Sequence, residues 1–195
     1  MNEANLVQIP KWVQTQVGPS RFLHIQGVVK IAGLLAQRHR LPKTKALLAA
    51  WLHDCGKELT RGQMGSWLKN SRFKLDQGEK QMPGLWHPHV AAEIALKKWK
   101  IRDGEVLEAI RCHTLGKAGM KPLAKLIFVS DFIENGRRFE GVELVRKKAW
   151  KSLNAAALKK VELTVSFLFQ KNMTIHPRLL ETWNHLLRRG TDEKI

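Results

Sequence analysis

The chain is expected to fold as all-α, a single helical-bundle domain, and three observations point there. Apolar residues recur at spacings of three and four, no stretch sustains the two-residue alternation of a half-buried strand, and the pieces between helical patterns are short except for 57–86. With 195 residues and 44% of them hydrophobic, the chain can bury one sizeable core. The core is placed at about 20–187, with an N-terminal segment 1–19 and a frayed tail, 188–195, outside it.

The first helix is placed at 20–38, with Ser20 as N-cap and Phe22, Leu23, Val28, Val29, Ala32 and Leu35 giving the helical spacing. A second is placed at Lys43 to Cys55, after Leu41-Pro42 and before Gly56, a stop residue. The segment 57–86 carries Gly62, Gly65, Gly78, Pro83 and Gly84 and reads as one short helix, Gln63–Lys69, plus a loop anchored by Trp67 and Phe73. It is positioned either as a lid or as a surface excursion. Helices follow at 88–99, with Pro88 in the first turn, and at 104–114, capped by Asp103. Pro122 opens the next, Asn135-Gly136 breaks it, one long amphipathic helix spans about 142–170, and Pro177 starts the last.

Within this frame the most informative residues are His53 and Asp54, which end the apolar run ALLAAWLHDCGKEL. An imidazole and a carboxylate facing the interior need a partner, because a buried unpaired charge costs several kcal/mol. A divalent cation satisfies both, and mixed His and Asp ligation suits iron, manganese, zinc or nickel better than calcium or magnesium. His24, His87 and His113 lie far away in sequence, each with an ordinary explanation as a packed or surface histidine. Asp131 is different. It follows Leu126 to Val129 and Ser130 and precedes Phe132 and Ile133, a setting where a carboxylate is buried only if paired or coordinated.

In chain order the set reads H, HD, H, H, D, and the segments RFLHIQGV (21–28), AAWLHDCGK (49–57), PGLWHPHVAA (83–92), EVLEAIRCHTLGKAGM (105–120), SDFIENGRRFEGV (130–142) and IHP (175–177) surround it. From about Arg21 to His185 the chain resembles the YqeK family of the HD-domain phosphohydrolase superfamily, symmetrical diadenosine tetraphosphate hydrolases that release two ADP. The resemblance implies an HD-domain fold and a metal-dependent enzyme acting on a dinucleoside polyphosphate. It implies a metal shell of His24, His53, Asp54 and Asp131 around an iron-type centre, with manganese, cobalt or nickel as alternatives. Asp54 then also orients or deprotonates the attacking water, with His53 beside it in the catalytic pair. His87 and His113 are expected as substrate contacts beside one metal, two metals being the alternative. Arg21, Lys57, Arg137 and Lys117 are candidate phosphate contacts, and His176 a candidate neighbour of the nucleotide or simply the start of the last helix.

The net charge of +17 would ordinarily suggest nucleic acid. Here the cations are dispersed: Lys97-Lys98, Arg146 to Lys148, Lys159-Lys160 and Arg188-Arg189 read as solvated helix faces. A positive field would steer a polyanionic substrate, and weak nucleic-acid binding is compatible with it. Trp12, Trp51, Trp86, Trp99, Trp150 and Trp183 read as packing residues rather than a stacking platform. No apolar stretch is long enough to span a bilayer, and the first residues lack a secretory pattern, so a cytoplasmic protein is expected, possibly a homodimer, with Cys55 and Cys112 as reduced interior thiols. A phosphodiesterase or phosphatase on nucleotides or RNA ends, and a non-catalytic nucleotide- or RNA-binding module, are the alternatives. The second is disfavoured because no expected ligand is missing.

Overall fold

The computed structural model describes residues 4–192, and their regular structure is entirely helical. Helices α1 (Ala4–Gln16), α2 (Pro19–Arg38), α3 (Lys43–Leu52), α4 (Arg61–Lys69) and α5 (Gln77–Gln81) lead to a 3-10 turn at Pro83–Leu85. Then come α6 (His87–Lys97), α7 (Gly104–Cys112), α8 (Pro122–Ile133), α9 (Val142–Ala149), α10 (Leu153–Gln170) and α11 (Pro177–Asp192). No helix among the described residues is long and apolar enough to cross a membrane.

At the centre lies α8, buried over most of its circumference through Leu123, Leu126, Ile127, Phe128 and Val129. A helix apolar on every side must be enclosed, and α2, α3, α7, α9 and α10 pack around this one. α2 contributes Ile25, Val28 and Leu35, α3 Leu48 and Leu52, and α7 Val106 and Ile110. Helix ends follow local chemistry: Asp103 Oδ1 accepts from the amides of Glu105 and Val106, and Pro88 and Pro122 occupy first turns.

Several boundaries differ from the sequence reading. The segment 1–19 contains α1, which buries Ile9 and Val13, and Trp12 packs edge-on against Trp99 at 5.5 Å. α2 starts at Pro19 with Gly18 as N-cap, so Ser20 lies inside the helix rather than capping it. Regular α-helix stops at Leu52, and His53 is the C-cap residue, still in right-handed helical conformation. The stretch 142–170 is two helices. Ser152 leaves the helical region and its Oγ accepts from the amide of Ala155, capping α10 anew. The tail expected to fray from Arg188 continues as helix to Asp192, and residues 193–195 lie outside the described residues.

The segment 57–86 is more ordered than a single short helix and a loop. Thr60 and Asp76 each begin a capping box, with Gln63 and Glu79 as the reciprocal partners. α5 is then tied to α6 and α11. Glu79 is buried and binds His89 Nε2 at 2.7 Å and Arg178 at 2.6 Å, while Asp76 pairs with His176 at 3.0 Å and with Arg178. The indole of Trp86 donates to the Glu79 carbonyl at 2.6 Å, and Gly78 lies so close to His176 that a Cβ would meet its Nε2 at 2.5 Å. These bonds hold the segment down as a fixed strap.

Burial alone would raise the Glu79 carboxyl, but the bonds from His89 and Arg178 outweigh it and hold the group down to about 2. A carboxylate with a depressed folded-state value stabilises above its unfolded value of 4.5 and loses that contribution as pH falls through about 2. Acid titration of unfolding free energy in wild type and Glu79→Gln should therefore differ in slope between these values. Wild type should lose on the order of 2 kcal/mol more across that window. Parallel curves would deny the strap its ionic character.

Candidate functional site

The site forms where the C-terminal ends of α3 and α7 and the first turn of α6 meet the flanks of α2 and α8. Three histidines there share one local device. His53, His87 and His113 each direct Nδ1 at the carbonyl three residues earlier: Ala50 at 2.6 Å, Gly84 at 2.9 Å and Ile110 at 2.7 Å. A carbonyl only accepts, so each Nδ1 carries a proton. His53 Nε2, which has no hydrogen-bond partner, is left with its lone pair. His87 Nε2 and His113 Nε2 lie 3.1 Å apart, too close for two lone pairs to face each other without a proton or a cation between them. Nδ1 of His24 instead faces Glu134 Oε1 at 3.3 Å. The four Nε2 atoms turn towards one region.

The same region contains two carboxylates. Asp54 Oδ2 lies 2.8 Å from Arg21, 3.9 Å from His24 Nε2 and 3.8 Å from His53 Nε2, while Asp54 Oδ1 lies 3.2 Å from His87 Nε2 and 3.4 Å from His113 Nε2. Asp131 Oδ1 is 3.1 Å from His24 Nε2 and 3.9 Å from His53 Nε2. Burial would raise both carboxyls, yet their neighbours hold both well below the usual carboxylate range. For Asp54 these are the imidazoles of His53, His113 and His87, and for Asp131 His24 and Lys160. Burial also lowers His53 and His87 to about 4, so both rings are neutral near pH 7.

The fully buried His53 Nε2 has no hydrogen-bond partner and presents a lone pair to two carboxylates that are too far away for a proton to bridge. Facing acceptors at such distances call for a cation between them. His24, His53 and Asp131 could hold one, as could His53, Asp54 and His113, because the ligand atoms within each group lie within 4.8 Å of one another. Both groups draw on the same His53 Nε2. One lone pair binds one metal, so the two groups do not supply two independent centres.

Of the expected phosphate contacts, Arg21 joins the cluster through Asp54, and Arg137 lies 3.3 Å from Asp131 Oδ1. Lys57 Nζ lies 3.2 Å from His87 Nδ1, and burial lowers its pKa. Lys117 and His176 are not brought to the cluster. Lys117 pairs with Glu108 at 3.4 Å on the wall of a different cavity of about 340 Å³, with Arg72, Arg111 and Arg178. His176 joins Asp76 in the strap and accepts from the amide of Arg178 at the start of α11.

Two residues at the cluster escape the sequence reading. Glu134 is buried, accepts from the amide of Gly136 at 2.6 Å and orients His24 from behind. Only glycine leaves it room: a Cβ on Gly27 would meet Glu134 Oε2 at 2.5 Å, and one on Gly136 would meet Oε1 at 2.9 Å. Its signal was the sequence ENG directly after the Asp131 run. Lys160 corrects an expectation outright, since only Lys159 of that pair is on the surface. Lys160 is 4% exposed; its Nζ donates to the carbonyls of Phe128 at 2.6 Å and His113 at 3.0 Å and lies 3.8 Å from Asp131 Oδ2. Burial lowers its pKa to about 8. The break at Ser152 sets the phase of α10 so that Lys160 points inward, which a single helix from 142 conceals.

Lys160 thus ties the end of α7, where His113 stands, to the turn of α8 that presents Asp131. Lys160→Met would leave two carbonyls and a carboxylate without that donor. It should cost about 2–4 kcal/mol in urea unfolding of the metal-free chain. Lys159→Met, which removes only a surface pair with Glu162, should stay within about 0.5 kcal/mol. Equal effects would put Lys160 back among the surface charges.

Known proteins resemble this chain in sequence and fold. The HD domain family matches residues 21–136. A Bacillus subtilis protein named symmetrical bis(5'-nucleosyl)-tetraphosphatase is 35% identical over 90% of this chain and 94% of its own length. One of the same name from Halalkalibacterium halodurans is 36% identical over 96% and 98%. A crystal structure of a Clostridium acetobutylicum protein, described as an HD superfamily hydrolase involved in NAD metabolism, superposes with a TM-score of 0.89 at 32% identity. The match covers 93% of this chain and 96% of that one.

Proposed function

Because the chain belongs to the HD domain family, we propose that it is a metal-dependent phosphohydrolase that converts diadenosine tetraphosphate to two ADP. The unpartnered Nε2 of His53 between the buried Asp54 and the half-buried Asp131 carries the metal part of this reading, and the names of the relatives supply the substrate. His24, His53, Asp54 and Asp131 would hold one divalent metal, with iron the first candidate and manganese, cobalt or nickel the others. Bound there, such a metal supplies an activated water and a Lewis acid for a phosphoryl oxygen.

The chain's own groups do the remaining work. Asp54 orients or deprotonates the water through Oδ1, which faces His87 and His113 rather than Arg21. Arg21, Lys57 and Arg137 bind phosphate oxygens and so offset the repulsion between substrate and nucleophile. His87 and His113 contact the phosphates. Burial keeps His87 neutral in the free site, and the adjacent polyphosphate favours its protonated form, which neutralises the departing ADP. Attack at a phosphorus beside the central bridging oxygen gives ADP alone.

Asp54→Ala, His53→Ala and Asp131→Ala should each lower turnover by more than about 100-fold and reduce the bound metal, with the helical circular dichroism retained. Metal analysis of the active wild type should give one equivalent per chain. Chromatography should show ADP as the sole nucleotide product. AMP with ATP would overturn the symmetrical cut, two metal equivalents would overturn the single centre, and turnover confined to other nucleotides or RNA ends would overturn the substrate.

A further inference from the structure

The cluster has two sides, divided by one carboxylate. Asp54 Oδ2 faces Arg21 and His24, and Oδ1 faces His87 and His113, beyond which lies Lys57. On the Arg21 side opens a cavity of about 620 Å³ between α2 and the turn after α8. This volume is in the range of small-molecule sites.

Its floor is one stripe of α2: Ser20, Leu23, Gly27 and Lys30, at spacings of three and four. Leu23 is 68% exposed there, an apolar surface turned to solvent within the lining. Lys30 makes no ion pair among the described residues, whereas Arg21 and Arg137 on the inner wall reach Asp54 and Asp131. The carboxylate lining the cavity, Glu134, is already engaged by the amide of Gly136 and by His24. The lining therefore offers the two guanidiniums beside the site aspartates, an ammonium with no ion pair among the described residues, an exposed leucine about two turns from it on α2, and the amides of Gln26 and Asn135.

A tetraphosphate cut at its centre must lead away from the cluster in two directions, one nucleoside diphosphate arm on each side. We propose that this cavity binds one whole arm of the dinucleotide. Arg21 and Arg137 take the inner phosphates, Lys30 the outer charge, and Leu23 with Gln26 the nucleoside. The assignment rests on the reading of the chain as a dinucleoside tetraphosphate hydrolase and adds the place of the second nucleoside. It gives a reason for Leu23 and Lys30, neither of which touches the cluster.

The test counts product. Calorimetry of the metal-loaded wild type should resolve two equivalents of ADP per chain, and Gln26→Trp, which fills the cavity, should retain one. Lys30→Glu should weaken the same equivalent and leave the other unchanged. Kinetically, Gln26→Trp should lower kcat/KM for diadenosine tetraphosphate by about tenfold or more. Adenosine 5'-tetraphosphate, which has the same phosphate chain and lacks the second nucleoside, should lose distinctly less with that variant, so that the ratio of the two kcat/KM values shifts by about fivefold or more towards the mononucleoside substrate. A single ADP equivalent in wild type overturns the proposal, as does a Gln26→Trp variant that loses both substrates equally or neither. Failure of the functional reading appears elsewhere, as metal-loaded wild type producing no ADP from diadenosine tetraphosphate.

Discussion

Two carboxylates placed against a closed apolar core set the terms for everything around them. Asp54 is buried just beyond the end of α3 and Asp131 is half-buried on α8, so water can solvate the pair only in part. Such charges persist only if the protein surrounds them with donors and cations. Helix ends are a ready means of doing so, because the turns that close α3 and α7 and open α6 bring His53, His113 and His87 together without requiring long loops. Arg21, Arg137 and Lys160 complete the enclosure. The fold can be read as the packing that pays for this pair of aspartates.

The imidazoles solve a second problem, that of presenting lone pairs rather than protons. A histidine free to choose its tautomer would donate Nε2–H to the carboxylates, satisfy them, and close the site to a cation. Three backbone carbonyls and Glu134 remove that choice by claiming Nδ1–H. Three of these bonds run to the residue three positions earlier, so they are produced by helical geometry itself. Only His24, in mid-helix where its own backbone carbonyls are already bonded, needs a side chain from elsewhere. That side chain in turn needs the two glycines at 27 and 136.

What was legible in the sequence followed from this asymmetry. The all-helical class, α3, α6, α7 and α8, and the residues His24, His53, Asp54, His87, His113 and Asp131 carry local signals: an apolar run interrupted by a charge, a proline, a cap. Arg21, Lys57 and Arg137 carried theirs by standing beside those runs. Lys160 carried the wrong signal, since a lysine beside a lysine on an amphipathic helix looks solvated. Its orientation depends on where α10 begins, which Ser152 fixes by leaving the helix. Lys117 and His176 sit in telling segments, but tertiary packing takes the first to Glu108 and the second to Asp76, contacts separated by 9 and 100 residues. α1 was missed because its burial is narrow, resting on Ile9 and Val13.

The dispersed positive charge takes on a different meaning once its members are sorted by partner. Near the cluster, Arg21, Arg137 and Lys160 each stand within ion-pair distance of a site carboxylate, so these cations offset the site's own negative charge before any anion arrives. Lys57 has only an imidazole beside it and keeps its charge available, at the cost of a lowered pKa from burial. Lys30, out on the cavity floor, is available too. From the cavity side an incoming polyanion therefore meets the unpaired ammonium of Lys30 as well as guanidiniums already committed to aspartates. Because guanidinium retains further donors after pairing with a carboxylate, Arg21 and Arg137 can bind phosphate without releasing Asp54 or Asp131.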